Sequence, residues 1–132
     1  MTVPRVLVID DDADMRTLMN ALLEHLGADV VTVADASGLT SVLAATFDLI
    51  LLDLVMPGRQ HDECVSLLVG AGATAPVCLL SGSDTRTLAD ARARLDAQGL
   101  RTTTALTKPA RLDALGALLL ALHATSTANP EP

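Results

Sequence analysis

Leu49-Ile50-Leu51-Leu52-Asp53, followed by Leu54-Val55-Met56-Pro57-Gly58, decides how this chain folds. Apolar residues run without alternation up to Asp53. That describes a strand covered on both faces, as in a parallel sheet with helices on either side. The strand is expected over Asp48 to Leu52. A single carboxylate closes it, and Pro57-Gly58 then breaks the chain.

The same arrangement recurs outward in both directions. Arg5 to Ile9 runs into Asp10-Asp11-Asp12, Val77 to Leu80 into Ser81-Gly82, and Thr102 to Leu106 into Thr107-Lys108-Pro109. Asp29 to Val33 reads as a further strand. Helical text lies between these runs. Met15, Leu18, Met19, Leu22, Leu23 and Leu26 recur at three- and four-residue steps, which predicts a helix over Ala13 to Leu26 with Gly27 as its stop. A weaker helix is expected from Asp35 to about Ala45. Others are expected over Asp62 to Val69, Asp84 to Gln98 and Arg111 to His123.

Five strands alternating with five helices predict an α/β fold, a three-layer doubly wound five-stranded parallel sheet. Binding crevices in such folds lie outside the carboxyl ends of the strands. The expected organisation is one domain over residues 1–123 and a flexible tail or linker over 124–132, which is small, polar and Pro-bearing.

Composition narrows the function. Half of the 132 residues are apolar, at 50%, so a core can form, but Phe47 is the only aromatic residue. That argues against a stacking surface for single-stranded nucleic acid, and the net charge of −7 argues against a phosphate-backbone binder. Cys64 and Cys78 are too few and too separated for a disulfide framework, and Cys78 reads as a buried thiol. The sequence has no signal-peptide pattern and no 18-residue apolar span, so no membrane contact and a cytoplasmic location are expected.

At the expected sheet edge the polar strand ends form a set. Asp11 and Asp53 can offer carboxylates to a hard cation, with Asp10 ligating from the rim or holding a bound water, and the Val55 carbonyl can turn inward. Mg²⁺ is the expected cofactor. Asp53 is the expected nucleophile for phosphoryl transfer, forming an acyl phosphate. Lys108, the chain's single lysine, would neutralise a phosphoryl oxygen, Ser81 would bond another, and Gly82 would add an unobstructed backbone N–H. Plainer readings attach to some of these residues. Asp12 suits a helix cap, and Ser81-Gly82 by itself suits an ordinary turn.

Val8-Ile9-Asp10-Asp11, Leu52-Asp53 with Met56-Pro57-Gly58, Ser81-Gly82 and Lys108-Pro109 together resemble the receiver domain of two-component response regulators. The resemblance covers residues 4 to about 123 and implies a flavodoxin-like fold. It implies that a histidine kinase or phosphotransfer domain donates a phosphoryl group to Asp53 with Mg²⁺. It further implies self-phosphorylation and autodephosphorylation without turnover of an independent substrate. The Lys108–Pro109 bond is commonly cis in that family. An output domain in cis or trans, and a homodimer, are the partners it suggests. The stretch from Ser83 to Leu100 resembles receivers placed before EAL-type cyclic-di-GMP phosphodiesterase domains.

The departures are specific. His61 stands where the family usually has glycine and reads as an ordinary loop histidine. Ala105 and Ala110 replace aromatics near the lysine, so output is expected to run through the Ser81 loop and the helix after it. Three other readings compete with it. A receiver-like adaptor that is never phosphorylated shares the fold. A haloacid-dehalogenase-like phosphatase would need a second Asp where Val55 stands. A nucleotide-binding module is weaker still, because no glycine-rich phosphate loop follows the first strand.

Overall fold

Five strands form one parallel sheet in the computed structural model, which describes residues 3–82, 85–108 and 110–128. The elements follow in the order β1 (Arg5–Ile9), α1 (Ala13–His25), β2 (Asp29–Val33), α2 (Ala36–Thr40), β3 (Leu49–Asp53), α3 (Gln60–Gly70), β4 (Val77–Ser81), α4 (Thr85–Ala97), β5 (Leu106–Thr107) and α5 (Leu112–Ala128). The strand order is β2-β1-β3-β4-β5, and every pairing is parallel. The chain reverses its direction of travel across the sheet between β1 and β3. That reversal is the switch point where α/β sheets open a crevice.

Strand parity sorts the core into two layers. Val6, Val8, Leu49, Leu51, Cys78 and Leu80 pack against Met19 and Leu23 of α1 and Leu115 of α5. Leu7, Ile9, Ile50, Leu52 and Leu79 face the other way, against Leu39 of α2, Cys64, Val65 and Leu68 of α3, and Ala91 and Leu95 of α4. Leu49, Leu51 and Leu52 have no exposure at all. Each such leucine contributes about 1.5–3 kcal/mol of burial free energy, so the central strand that carries Asp53 is firmly anchored.

Several boundaries differ from the sequence reading. The weak second helix stops at Thr40 rather than Ala45. Beyond it Val42 N–H and Ala45 N–H bond three residues back, to Leu39 and Val42 carbonyls, as tight turns rather than helix. Helix α3 begins two residues early, at Gln60, whose Oε1 accepts from Ala36 N–H at 2.9 Å and ties the starts of α2 and α3 together. The expected fifth strand, Thr102 to Leu106, is mostly unpaired. Thr102 makes one isolated bridge to Val77, and the regular pairing covers only Leu106 and Thr107. Helix α5 runs to Ala128, past the expected end at His123, because nothing between Ala124 and Ala128 breaks it and the next proline is Pro130. Ser83, Asp84, Pro109 and residues 129–132 lie outside the described residues, and so does the expected Lys108–Pro109 turn. Among the described residues no helix is long and apolar enough to cross a membrane.

Candidate functional site

The polar residues that follow β1, end β3 and follow β5 meet at one edge of the sheet. Lys108 Nζ lies 2.9 Å from Asp10 Oδ2 and 3.0 Å from Asp53 Oδ1. Asp10, Asp11 and Asp53 each offer a carboxylate oxygen within 4.8 Å of the others. Adjacent parallel strands make this possible. Asp53 closes β3 one residue beyond the Ile9–Leu52 pair, and Asp10 directly follows Ile9, the last residue of β1.

The acidic pair divides between interior and surface. Asp10, expected to ligate from the rim or hold a bound water, is fully buried, while Asp11 is exposed. Asp10 continues the inward parity of Val6 and Val8, and its Oδ1 accepts from Asp12 N–H at 2.9 Å. Its Oδ2 is buried without an aligned hydrogen-bond donor, so the Lys108 ammonium is its one close partner among the described residues. Arg16 was not singled out from the sequence, yet its Nη1 donates to the Asp10 carbonyl at 2.8 Å. Its place one turn into the helix after the acidic run was the available signal. Asp12 behaves as the cap it resembles, accepting from Asp14 and Met15 N–H groups.

Asp53 is 3% exposed. Its Oδ1 accepts from Val55 N–H at 3.1 Å as well as facing Lys108. Burial pushes its carboxyl group up, the Lys108 ammonium and Val55 N–H pull it down, and the nearby Asp10 charge pushes it up again. The outcome is a rise from 3.8 to about 6. For Lys108, burial works against the charged form, but hydrogen bonding and attraction to Asp10 and Asp53 outweigh it, and its pKa is raised. The ammonium therefore stays charged at neutral pH.

Ser81 and Gly82 border this group without joining it. Lys108 N–H donates to the Ser81 carbonyl at 2.7 Å, which locks the ends of β4 and β5 together. The Ser81 side chain is buried, on the strand parity opposite to Leu80, and makes no direct bond to Asp10, Asp53 or Lys108 among the described residues. Gly82 is exposed. The Val55 side chain is 71% exposed, and its backbone N–H is held by Asp53.

His61 is not in a loop. It occupies the first turn of α3, and its Nδ1 lies 3.0 Å from the Asp53 carbonyl oxygen. The turn before it is made instead by Gly58, at φ 64, a conformation that favours glycine. Ala105 packs on the edge of one core layer and Ala110 is buried in the other, so neither position carries a ring that could swing.

The donor set fits a hard divalent cation. All three side chains offer oxygen, two of them are buried, and among the described residues the buried Asp10 Oδ2 has the Lys108 ammonium as its one close partner.

The sequence matches the response regulator receiver domain family over residues 6–119. This chain belongs to that family. As a receiver domain it is a module of two-component signalling, and its fold agrees with solved relatives. A response regulator from Colwellia psychrerythraea superposes with a TM-score of 0.76 at 26% identity, covering 92% of this chain and 97% of the other. Among curated proteins, the DNA-binding transcriptional regulator NtrC of Rhizobium meliloti is 35% identical over 86 residues, 64% of this chain and 18% of that protein. The DNA-binding response regulator MtrA of Mycobacterium tuberculosis is 35% identical over 79 residues, 58% of this chain and 34% of that protein. The receiver thus spans about a third or less of the length of these two relatives. Family membership also disposes of the dehalogenase-like reading.

Proposed function

We propose that Asp53 accepts a phosphoryl group from the phosphohistidine of a histidine kinase or phosphotransfer domain, and that the resulting acyl phosphate changes which partner the receiver binds. The observation that carries this reading is the placement of Asp53. It is a buried carboxylate at the end of the central strand, among Asp10, Asp11 and the ammonium of Lys108. In the transfer a carboxylate oxygen of Asp53 forms the new O–P bond. The P–N bond breaks, and its electron pair returns to the imidazole.

Asp10, Asp11 and Asp53, with the Val55 carbonyl, would hold Mg²⁺, which when bound neutralises the charge gathering on the transferring group. Asp53 must be ionised to attack, and its pKa near 6 leaves it mostly ionised at pH 7. Lys108 then exchanges its contact with Asp53 for one with a phosphoryl oxygen, keeping Asp10 as its anchor. The Ser81 hydroxyl and Gly82 N–H complete the cradle at the end of β4. The readout is a reshaping of the face made by α4, β5 and α5 without a moving aromatic ring. Such a reaction belongs in the cytoplasm, where kinase and receiver meet. The likeness to receivers that precede EAL-type domains concerns the output partner, which depends on sequence beyond the receiver.

Intact mass after incubation with a small acyl phosphate and Mg²⁺ tests this reading. One added phosphoryl group, absent in Asp53→Asn, supports it. An unmodified wild type would leave the adaptor reading standing.

A further inference from the structure

The β1–β3 ladder ends at the Ile9–Leu52 pair, so the strand edge offers no β1 partner to the Asp53 carbonyl. The His61 ring supplies that partner, 3.0 Å away and eight residues along the chain. A carbonyl oxygen can only accept, so Nδ1 carries the proton. The Asp53 carboxylate meanwhile takes the Val55 N–H. The two bonds together clamp the turn from Leu54 to Gln60 at both ends. Val55, whose carbonyl is a proposed cation ligand, lies inside the clamp. A glycine at 61 could make neither this bond nor a substitute for it.

We propose that His61 is a positioning residue of this receiver: its Nδ1–H holds the Asp53 carbonyl and thereby fixes the β3–α3 turn that presents Val55 and Asp53 to the cation. The proposal rests on the phosphoacceptor reading above. It assigns His61 no proton transfer and no contact with the phosphoryl group. The side chain replaces turn flexibility with a directed bond, so the site is set before the cation arrives.

The test compares wild type, His61→Ala and His61→Asn by calorimetric Mg²⁺ titration, rate of phosphoryl uptake and thermal unfolding. The Asn amide nitrogen lies about where Nδ1 lies, so that variant can keep the bond. One neutral hydrogen bond corresponds to about a threefold to tenfold loss of Mg²⁺ affinity in His61→Ala, with His61→Asn restored to within about twofold of wild type. Scalar coupling across the hydrogen bond, from His61 Nδ1 to the Asp53 carbonyl carbon, gives a readout independent of the cation. Equal Mg²⁺ affinity in wild type and His61→Ala overturns the inference. So does His61→Asn being as impaired as His61→Ala, or absence of the coupling in wild type. A wild type that binds no Mg²⁺ and takes up no phosphoryl group would refute the phosphoacceptor reading and this inference together. That pattern is distinct from a competent wild type that is indifferent to His61.

Discussion

Asp53→Asn should make the metal-free receiver more stable at neutral pH, although it removes the group on which signalling depends. The folded state raises the Asp53 carboxyl group from 3.8 to about 6, with burial as the largest cause. Between those two values the folded chain keeps a proton that the unfolded chain has released. Stability therefore falls as pH rises through that window and stays lower above it. A gap of about two pH units corresponds to about 3 kcal/mol. Asn avoids that cost and can still accept the Val55 N–H, while Lys108 keeps Asp10 as a partner. A gain of about 1–3 kcal/mol is expected at pH 7, or roughly 4–12 °C in melting temperature for a domain of this size. Phe47 is the only aromatic residue, so unfolding in urea is best followed by far-ultraviolet circular dichroism, with a chelator present. The advantage of the variant should close as pH falls towards 4. Saturating Mg²⁺ should narrow it at pH 7 by stabilising wild type more. An Asn variant no more stable than wild type at pH 7, or one whose advantage persists undiminished near pH 4, would refute the reasoning.

Lys108→Ala leaves Asp10 Oδ2 and Asp53 Oδ1 without their cation, so stability at pH 7 should drop by about 3–5 kcal/mol and partly recover on mild acidification. The same variant should still take up phosphoryl, more slowly, but show no phosphorylation-dependent partner response; a normal response would remove Lys108 from signal propagation. Asp11→Ala should leave the fold within about 0.5 kcal/mol, because Asp11 is exposed, yet weaken Mg²⁺ by at least about tenfold. An unchanged calorimetric titration would take Asp11 out of the cation site. Phosphorylation should alter amide exchange from Ser81 through α4, and a change confined to α1 would mean that the output face is wrongly placed.

The fold was legible wherever burial on both faces writes itself as an unbroken apolar run, as at Val6 to Ile9, Leu49 to Leu52 and Val77 to Leu80. It was less legible at the edge. Thr102 to Ala105 has strand-like composition, but pairing there depends on how β5 meets β4, and the backbone contact is limited to the bridge at Val77, where Thr103 N–H donates to the Val77 carbonyl and Val77 N–H to the Arg101 carbonyl. Helix α2 was over-read because Gly38 and the β-branched Thr40 and Val42 weaken a helix that only tertiary contacts can extend. At the candidate site, the grouping of Asp10, Asp11, Asp53 and Lys108 was legible because a parallel sheet gathers strand ends. Which of the two acidic neighbours is buried was not readable, since it follows from side-chain parity at a strand end whose last paired residue must be known. The His61 bond was equally hidden, because it depends on α3 starting two residues earlier than its apolar pattern suggests.

The most direct test of the central claim is to locate the phosphoryl group. The receiver is incubated with a small acyl phosphate and Mg²⁺, the acyl phosphate is reduced with borohydride to homoserine, and the peptides are sequenced by mass spectrometry. Homoserine should appear at position 53 and at no other aspartate. Homoserine at Asp10, Asp11 or Asp12 with Asp53 intact would contradict the account.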